Sequence, residues 1–139
     1  MKKKGFTLVE VIAVVSILSI IFLLITPVIT GYITQAKKDA LKLSATGLLE
    51  TLRSNQDNLE GQMLEIKNGT ILIGNNRVLE SNAGSNETGK IYMCESGRTA
   101  IVLMDNKKTY CAKKNPKETV VKIHEYNQQV CNIVEPLDC

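Results

Sequence analysis

An uninterrupted apolar stretch occupies residues 6–29, which consist almost wholly of Val, Ile, Leu, Phe, Ala, Ser and Thr. No charged residue occurs from position 11 to position 36. A helix needs about 20 apolar residues to cross a bilayer. The pattern therefore predicts a membrane-spanning helix, and Glu10 is a charged residue near its start that would need a partner at bilayer depth.

Beyond this stretch the spacing of the apolar residues becomes helical. They recur mostly three, four or seven positions apart, at Ile33, Ala36, Ala40, Leu41, Ala45, Leu48, Leu52, Leu59 and Met63. This period predicts an amphipathic helix that continues the apolar one to about residue 58. Pro27 removes a backbone donor and Gly31 adds freedom, so a kink or an unwinding point is expected there.

The rest of the chain has the short alternating runs of β-strands. Strands are predicted at residues 70–73, 77–80, 90–95, 99–104 and 109–113, with a polar loop at 81–89. The last three strands predict an antiparallel meander. Its register puts one set of side chains toward the helix: Ile91, Met93, Ile101, Leu103, Tyr110 and Ala112. The other face would hold Tyr92, Cys94, Ala100, Val102 and Cys111.

All four cysteines lie in the last third of the chain, at Cys94, Cys111, Cys131 and Cys139, and none forms a CxxC pair. An exported head with an even number of cysteines predicts two disulfides. Cys94 and Cys111 would lie two strand spacings apart, about 10 Å, beyond the roughly 7 Å limit for bridged Cα atoms. Bridges from the sheet to the tail are therefore favoured, in an order left open. A different register would favour Cys94 with Cys111 and Cys131 with Cys139.

Charge is concentrated in two places. The net charge of +3 equals the contribution of Lys2, Lys3 and Lys4, so a chain that starts at Phe6 is balanced. Residues 98–122 hold seven cations against Asp105 and Glu118. Such a cluster predicts weak DNA binding through phosphate contacts, or a lysine-protected sheet edge, which is the commoner arrangement.

The residues from Lys2 to Val11 resemble the processing site of type IV prepilins and of the pseudopilins of type II secretion and competence systems. In that family a prepilin peptidase cuts after a glycine, the new N-terminal residue is N-methylated, and a glutamate stands at the fifth mature position. Gly5, Phe6 and Glu10 occupy those positions, and Pro27 matches a proline common in the family.

The resemblance implies a set of partners. These are the prepilin peptidase, other pilin or pseudopilin subunits, an assembly platform protein with its ATPase, and membrane lipid before assembly. The three lysines before the apolar stretch predict a cytoplasmic N-terminus and an exported C-terminus. The filament would serve adhesion or motility, DNA uptake or secretion, and the sequence does not separate these roles.

The spacing of Phe6 and Glu10 has a physical reason of its own. Cleavage before Phe6 creates an ammonium group, and Glu10 follows four residues later on the same helical face. A pair between the Glu10 of one subunit and the Phe6 amine of another would fix the register of bundled helices, because other registers bury unpaired charges. The alternative is a Glu10 that reaches the lipid headgroups.

These observations predict an α+β fold in which a long N-terminal helix packs on a small antiparallel sheet with a disulfide-bearing C-terminal region. The expected organisation is a leader at residues 1–5, a membrane and polymerisation helix at 6–29, a scaffold helix at 30–66 and a β-sheet head at 67–139. No catalytic constellation, metal site or cofactor site is expected. The rival interpretation is an uncut, single-pass membrane protein with an extracellular binding head.

Overall fold

The computed structural model describes residues 5–54, 59–73, 76–80, 86–133 and 139. The chain forms two compact units, one up to Lys37 and the other from Lys38 onward. A single helix, α1 (Leu8–Arg53), supplies residues to both units. The second unit also holds an antiparallel sheet and two disulfides. The predicted α+β fold class is confirmed.

The scaffold helix is shorter than predicted. α1 ends at Arg53, and the next described element is the strand β1 (Met63–Lys67), so the assignment of residues 30–66 to a helix is wrong at its C-terminal end. Leu59 and Met63 match the helical spacing by coincidence. Leu59 lies in a turn and is nonetheless buried. Gly61 has a φ of +73°, a conformation that glycine adopts without strain, and this helps the chain to turn into β1.

Seven strands occur in the described part of the chain. After β1 they are β2 (Thr70–Ile73), β3 (Asn76–Glu80), β4 (Thr88–Met93), β5 (Thr99–Met104), β6 (Tyr110–Lys114) and β7 (Lys122–Glu125). All neighbours pair antiparallel, in the order β3-β2-β1-β4-β5-β6-β7. Strands β1 and β7 were not predicted, and β4 begins inside the loop predicted at residues 81–89.

The first hairpin shows why β1 was missed. β1 and β2 are joined by Asn68 and Gly69, whose φ values are +50° and +73°, and Lys67 pairs with Thr70 across the turn. An Asn-Gly pair between two alternating runs is the strongest short-range signal for a two-residue hairpin. The helical spacing that extended to Met63 concealed it.

The core of the second unit lies between α1 and one face of the sheet. From the helix it takes Leu41, Ala45, Leu48 and Leu52, which are spaced three or four residues apart. From the central strands it takes Leu64, Ile66, Ile91, Met93, Ile101, Leu103 and Ala112, with Tyr110 partly buried beside them. The predicted helix-facing residues of the meander are therefore in the core. The predicted register is confirmed by the pairs Ile91 with Ile101 and Leu103 with Ala112.

Residues 131–133 of the C-terminal tail cover part of the opposite face of the sheet. Val102 and Cys111 form a small buried cluster with Cys131, and Met104 and Ile133 pack against it. Cys111 is bonded to Cys131 and Cys94 to Cys139, with Cα separations of 5.9 and 5.7 Å. The structure thus joins each sheet cysteine to a tail cysteine and gives the order that the sequence left open. As a result β5 is buried on both faces.

Close packing of β4 on β5 requires a glycine at position 89. A Cβ atom built there would lie 2.2 Å from the backbone oxygen of Val102. No side chain fits at that distance, and the atom in the way is backbone, which cannot rotate aside. Gly89 therefore allows β4 to begin where the sequence suggested a loop.

Candidate processing and assembly site

The peptide bond between Gly5 and Phe6 lies outside the helix. Residues 5–7 have no regular secondary structure, and α1 starts at Leu8. The Phe6 side chain is 86% exposed. An exposed, non-helical segment is the kind of backbone that proteases accept, because its amide groups are not held in a helical hydrogen-bond ladder. The expected cleavage point is therefore accessible in the subunit.

Thr7 and Glu10 form a capping box at the start of α1. The Thr7 backbone N–H and hydroxyl both donate to Oε2 of Glu10, at 2.8 and 2.9 Å, and the Glu10 N–H donates to the Thr7 hydroxyl at 3.3 Å. These bonds satisfy donors that every helix leaves unpaired at its N-terminus. Glu10 thus has a partner in its own chain, in addition to the neighbouring subunit's amine expected from the sequence. The Thr-x-x-Glu pattern at positions 7–10 was the available signal.

The geometry also differs from the expected one-turn spacing of Phe6 and Glu10. Phe6 precedes the helix, so the two residues do not share a helical face within the subunit. Both bonds from Thr7 end on Oε2, and neither uses Oε1. The capping box therefore fixes the position of the carboxylate through Oε2. Oε1 accepts a hydrogen bond from neither the N–H nor the hydroxyl of Thr7.

None of the described residues covers the apolar part of α1. Its large side chains are exposed all around the helix, from Leu8 to Ile33. A helix that is apolar on every side belongs in a membrane or among other apolar helices. In the described chain α1 contains the one segment long and apolar enough to cross a membrane.

The hydroxyl groups in this segment are paired within the helix. Ser16 donates to the Ile12 carbonyl and Ser19 to the Val15 carbonyl, both at 2.8 Å. Thr26 and Thr30 donate to the Phe22 and Pro27 carbonyls at 2.6 and 2.9 Å. A polar group buried in lipid without a partner costs several kcal/mol, so this pairing makes the segment compatible with an apolar environment.

Pro27 and Gly31 both lie inside α1, which continues through them. The kink expected at these positions stays a prediction. A Cβ atom at Gly31 would meet nothing within 4 Å, so packing inside the subunit does not require a glycine there. Because Gly31 has no side chain, the backbone of α1 is exposed on the helix surface at that position.

The basic residues of the segment 98–122 do not form one patch. Lys107 and Lys108 lie in the turn between β5 and β6, whereas Arg98 lies at the opposite end of β5, in the turn after β4. Lys122 is paired with Glu118 at 2.6 Å. The Lys113 ammonium donates to the Val130 carbonyl at 3.0 Å and holds the tail on the sheet. The fold therefore divides the cluster that the sequence suggested.

Comparison with known families supplies the decisive observation. Residues 1–26 match the family model described as the prokaryotic N-terminal methylation motif. The chain carries the signature of type IV pilins and pseudopilins. Beyond this methylation motif, no curated protein and no solved structure matches the chain.

The methylation motif covers the residues of the expected cleavage point and of the capping box. Gly5, Phe6, Thr7 and Glu10 all lie within it, as does most of the apolar stretch. The motif implies processing by a prepilin peptidase and assembly with other pilin subunits. The motif supports a type IV pilin-like precursor, and the exposed apolar helix fits anchoring in a membrane. The proteins that share this motif are structural rather than enzymatic.

Proposed function

We propose that this protein is a structural subunit of a type IV pilus-like filament. It is cut between Gly5 and Phe6, methylated on the Phe6 amine and polymerised through residues 6–29. The observation that carries this proposal is the methylation motif at the start of a helix whose apolar side chains have no cover in the subunit. Such a helix is stable first in lipid and then in a bundle of its own kind.

The chemistry of assembly rests on the new amino terminus. Removal of Met1 to Gly5 deletes Lys2, Lys3 and Lys4 and leaves an ammonium group on Phe6. The Glu10 carboxylate of a neighbouring subunit is its natural partner. Because the capping box uses Oε2, Oε1 can accept from that ammonium group while the helix remains capped. Misaligned subunits would bury both charges unpaired, which selects one axial register.

Assembly requires further partners. We infer that the N-terminus is cytoplasmic before assembly and that the head is exported, since the lysine cluster precedes the apolar stretch. A platform protein and an ATPase would then extract subunits from the membrane into a filament at the cell surface. Adhesion or motility, DNA uptake and secretion are the roles that fit such a filament, and DNA is a partner only for the second.

The mass of the mature chain tests this proposal. We expect that co-expression with a prepilin peptidase yields a product that lacks Met1 to Gly5 and carries one added methyl group. A Gly5→Leu variant should stay uncut, because a bulky side chain replaces the residue before the scissile bond. Retention of Met1 to Gly5 in the unmodified chain would support the rival, an uncut single-pass membrane protein with a binding head.

A further inference from the structure

A large polar cleft opens at one end of the second unit. It has a volume of about 960 Å³ and lies between the C-terminal part of α1, the turn after β4, the end of β6 and the loop from β6 to β7. Its lining includes four cations and two carboxylates: Arg53, Arg98, Lys114, Lys117, Glu50 and Glu118. The lining side chains therefore carry a net charge of +2.

Elements distant in sequence bring these cations together. Arg53 comes from the last turn of α1, Arg98 from the β4–β5 turn, and Lys117 from the β6–β7 loop. Arg53 lies outside the basic segment 98–122, so the fold adds a cation that the sequence pattern did not include. Gly97 also lines the cleft and has a φ of +76°, which allows the tight turn that presents Arg98.

The two carboxylates do not neutralise the cleft. Both oxygens of Glu118 are already engaged, Oε1 by the Lys122 ammonium at 2.6 Å and Oε2 by the Asn115 N–H at 2.9 Å. These bonds hold the pKa of Glu118 below its usual value and tie its charge to the loop. Glu50 is exposed on α1, where water screens its charge.

Lys114 is the most enclosed of the four cations. Its ammonium donates to the Thr99 carbonyl at 2.8 Å and is partly buried. Burial lowers its pKa, because the charged form loses water, and the nearby Glu118 carboxylate offsets only part of this effect. An anion bound beside the Lys114 ammonium would stabilise its charged form and so compensate for the lost hydration.

We propose that this cleft binds a ligand that carries phosphate groups. The Arg53 guanidinium can hold a phosphate through paired N–H bonds, and two ammonium groups add point charges. One N–H group of Arg98 already donates to the Cys139 carbonyl at 3.3 Å, and the remaining N–H groups of this guanidinium can donate to a phosphate. The volume accommodates more than one phosphate, so a chain of linked phosphates fits better than a single ion. The residues of α1 that line this cleft lie beyond residues 6–29, through which the chain is proposed to polymerise.

A structural explanation of the same cations must be distinguished from this one. α1 ends at the cleft, and cations near a helix C-terminus stabilise its unpaired carbonyls. If that were their whole role, their removal would lower the stability of the protein and leave anion binding unchanged. The test therefore needs both a binding and a stability measurement.

The experiment uses the full, uncut chain in a non-ionic detergent at low ionic strength. Pyrophosphate binding is followed by calorimetry, and binding of a short single-stranded oligonucleotide by fluorescence anisotropy. Urea titration of each variant in the same detergent measures its stability. The cleft variant is Arg98→Gln with Lys117→Gln. Its matched control is Lys107→Gln with Lys108→Gln, which removes the same charge from the β5–β6 turn. Arg53→Gln, at an exposed helix position, serves as a second cleft variant if the first is poorly folded.

We expect the pyrophosphate Kd to rise about tenfold in the cleft variant, because two charged contacts are lost. The control should change the pyrophosphate Kd by less than about twofold, since its lysines act only through screened long-range charge.

Oligonucleotide binding that is weakened by the cleft variant and not by the control would identify a phosphodiester polymer as the ligand. Binding of pyrophosphate alone would identify small phosphate compounds. Equal losses in cleft and control variants, or no saturable pyrophosphate binding, would overturn the proposal. Since the uncut chain is used, neither result bears on filament assembly.

Discussion

Leu24 and Leu48 lie in the same helix and have the same side chain, yet Leu24 is 70% exposed and Leu48 is 1% exposed. The difference holds along the whole of α1. Before Lys37 the large apolar residues are exposed on every side, whereas beyond it a buried stripe of Leu41, Ala45, Leu48 and Leu52 faces the sheet. The first region is therefore built for surroundings outside the subunit, and the second completes its own core.

The polar groups of the two regions follow the same division. In the first region, hydroxyls bond back to the carbonyls of their own helix, and Glu10 is held by Thr7. In the second region, polar side chains tie distant segments together, as when Lys113 holds the tail and Lys114 reaches the Thr99 carbonyl. Hydrogen bonds within a single helix suit a segment that must insert into lipid or pack among copies of itself, where water is absent. Substitutions in the first region should therefore reduce incorporation into filaments, whereas substitutions in the second region should lower the free energy of unfolding.

The largest effect is expected at Glu10. We predict that Glu10→Gln reduces incorporation into filaments at least about tenfold, because an amide leaves the Phe6 ammonium group of the neighbouring subunit buried without a counter-charge. The thermal unfolding of the head should not change. Incorporation is measured as the ratio of sheared filament to membrane-bound subunit.

Two further variants separate the roles of Glu10. Thr7→Ala removes the cap, at a cost of about 1 kcal/mol, and keeps the carboxylate, so most incorporation should survive. Glu125→Gln removes an exposed carboxylate from β7 and should have no effect on incorporation. Equal losses in Thr7→Ala and Glu10→Gln would show that helix capping, rather than charge pairing between subunits, is what assembly needs.

The disulfides should affect only the second region. Replacing Cys94 and Cys139 with alanine opens a loop closed over 45 residues, and replacing Cys111 and Cys131 opens one over 20. Chain-entropy reasoning predicts losses of about 4 and about 3 kcal/mol in the free energy of unfolding. Urea titration of the detergent-solubilised chain measures both. A larger loss for the shorter loop would mean that packing around the buried Cys111 outweighs the loop entropy.

Substitution of two leucines in the second region tests which of them belongs to the buried core. Leu48→Ala should lower the free energy of unfolding by about 2–5 kcal/mol, because it leaves a cavity between α1 and the sheet. Leu43→Ala, at a position 74% exposed, should change it by no more than about 0.5 kcal/mol. Urea titration gives both values. Similar losses at the two positions would contradict the assignment of the buried stripe.

Much of this fold could be predicted from the sequence where one face is buried and the period is therefore strict. The helix stripe and the alternation of Ile91, Met93, Ile101 and Leu103 are of this kind. The end of the helix was missed because Leu59 and Met63 continue the helical spacing by chance while Asn68 and Gly69 specify a hairpin. β7 is four residues long and only partly buried, which leaves little periodicity to detect.

The site could be predicted only in part for a similar reason. Gly5, Phe6 and Glu10 form a short local pattern, so their positions are readable from the sequence. The capping bond of Thr7 is equally local and was readable from the Thr-x-x-Glu pattern. The cleft that combines Arg53, Arg98 and Lys117 depends on tertiary contacts, and no sequence spacing indicates it.

The smallest expected effect is a dependence of head stability on pH. The Lys122 ammonium and the Asn115 N–H hold the pKa of Glu118 below its usual value. A carboxyl whose folded pKa is depressed contributes stability above its unfolded pKa and loses that contribution as the pH falls through the folded one. Because the Glu118 side chain is only 26% exposed but its lysine partner is largely in water, the contribution should be roughly 0.5 kcal/mol.

Glu118→Gln should therefore lower the free energy of unfolding by that amount at pH 7 and by progressively less in acid. Urea titrations at pH 7 and in the acid range measure this, with Glu125→Gln as the control. A loss that is the same at every pH would show that Glu118 acts through the shape of the β6–β7 loop rather than through its charge.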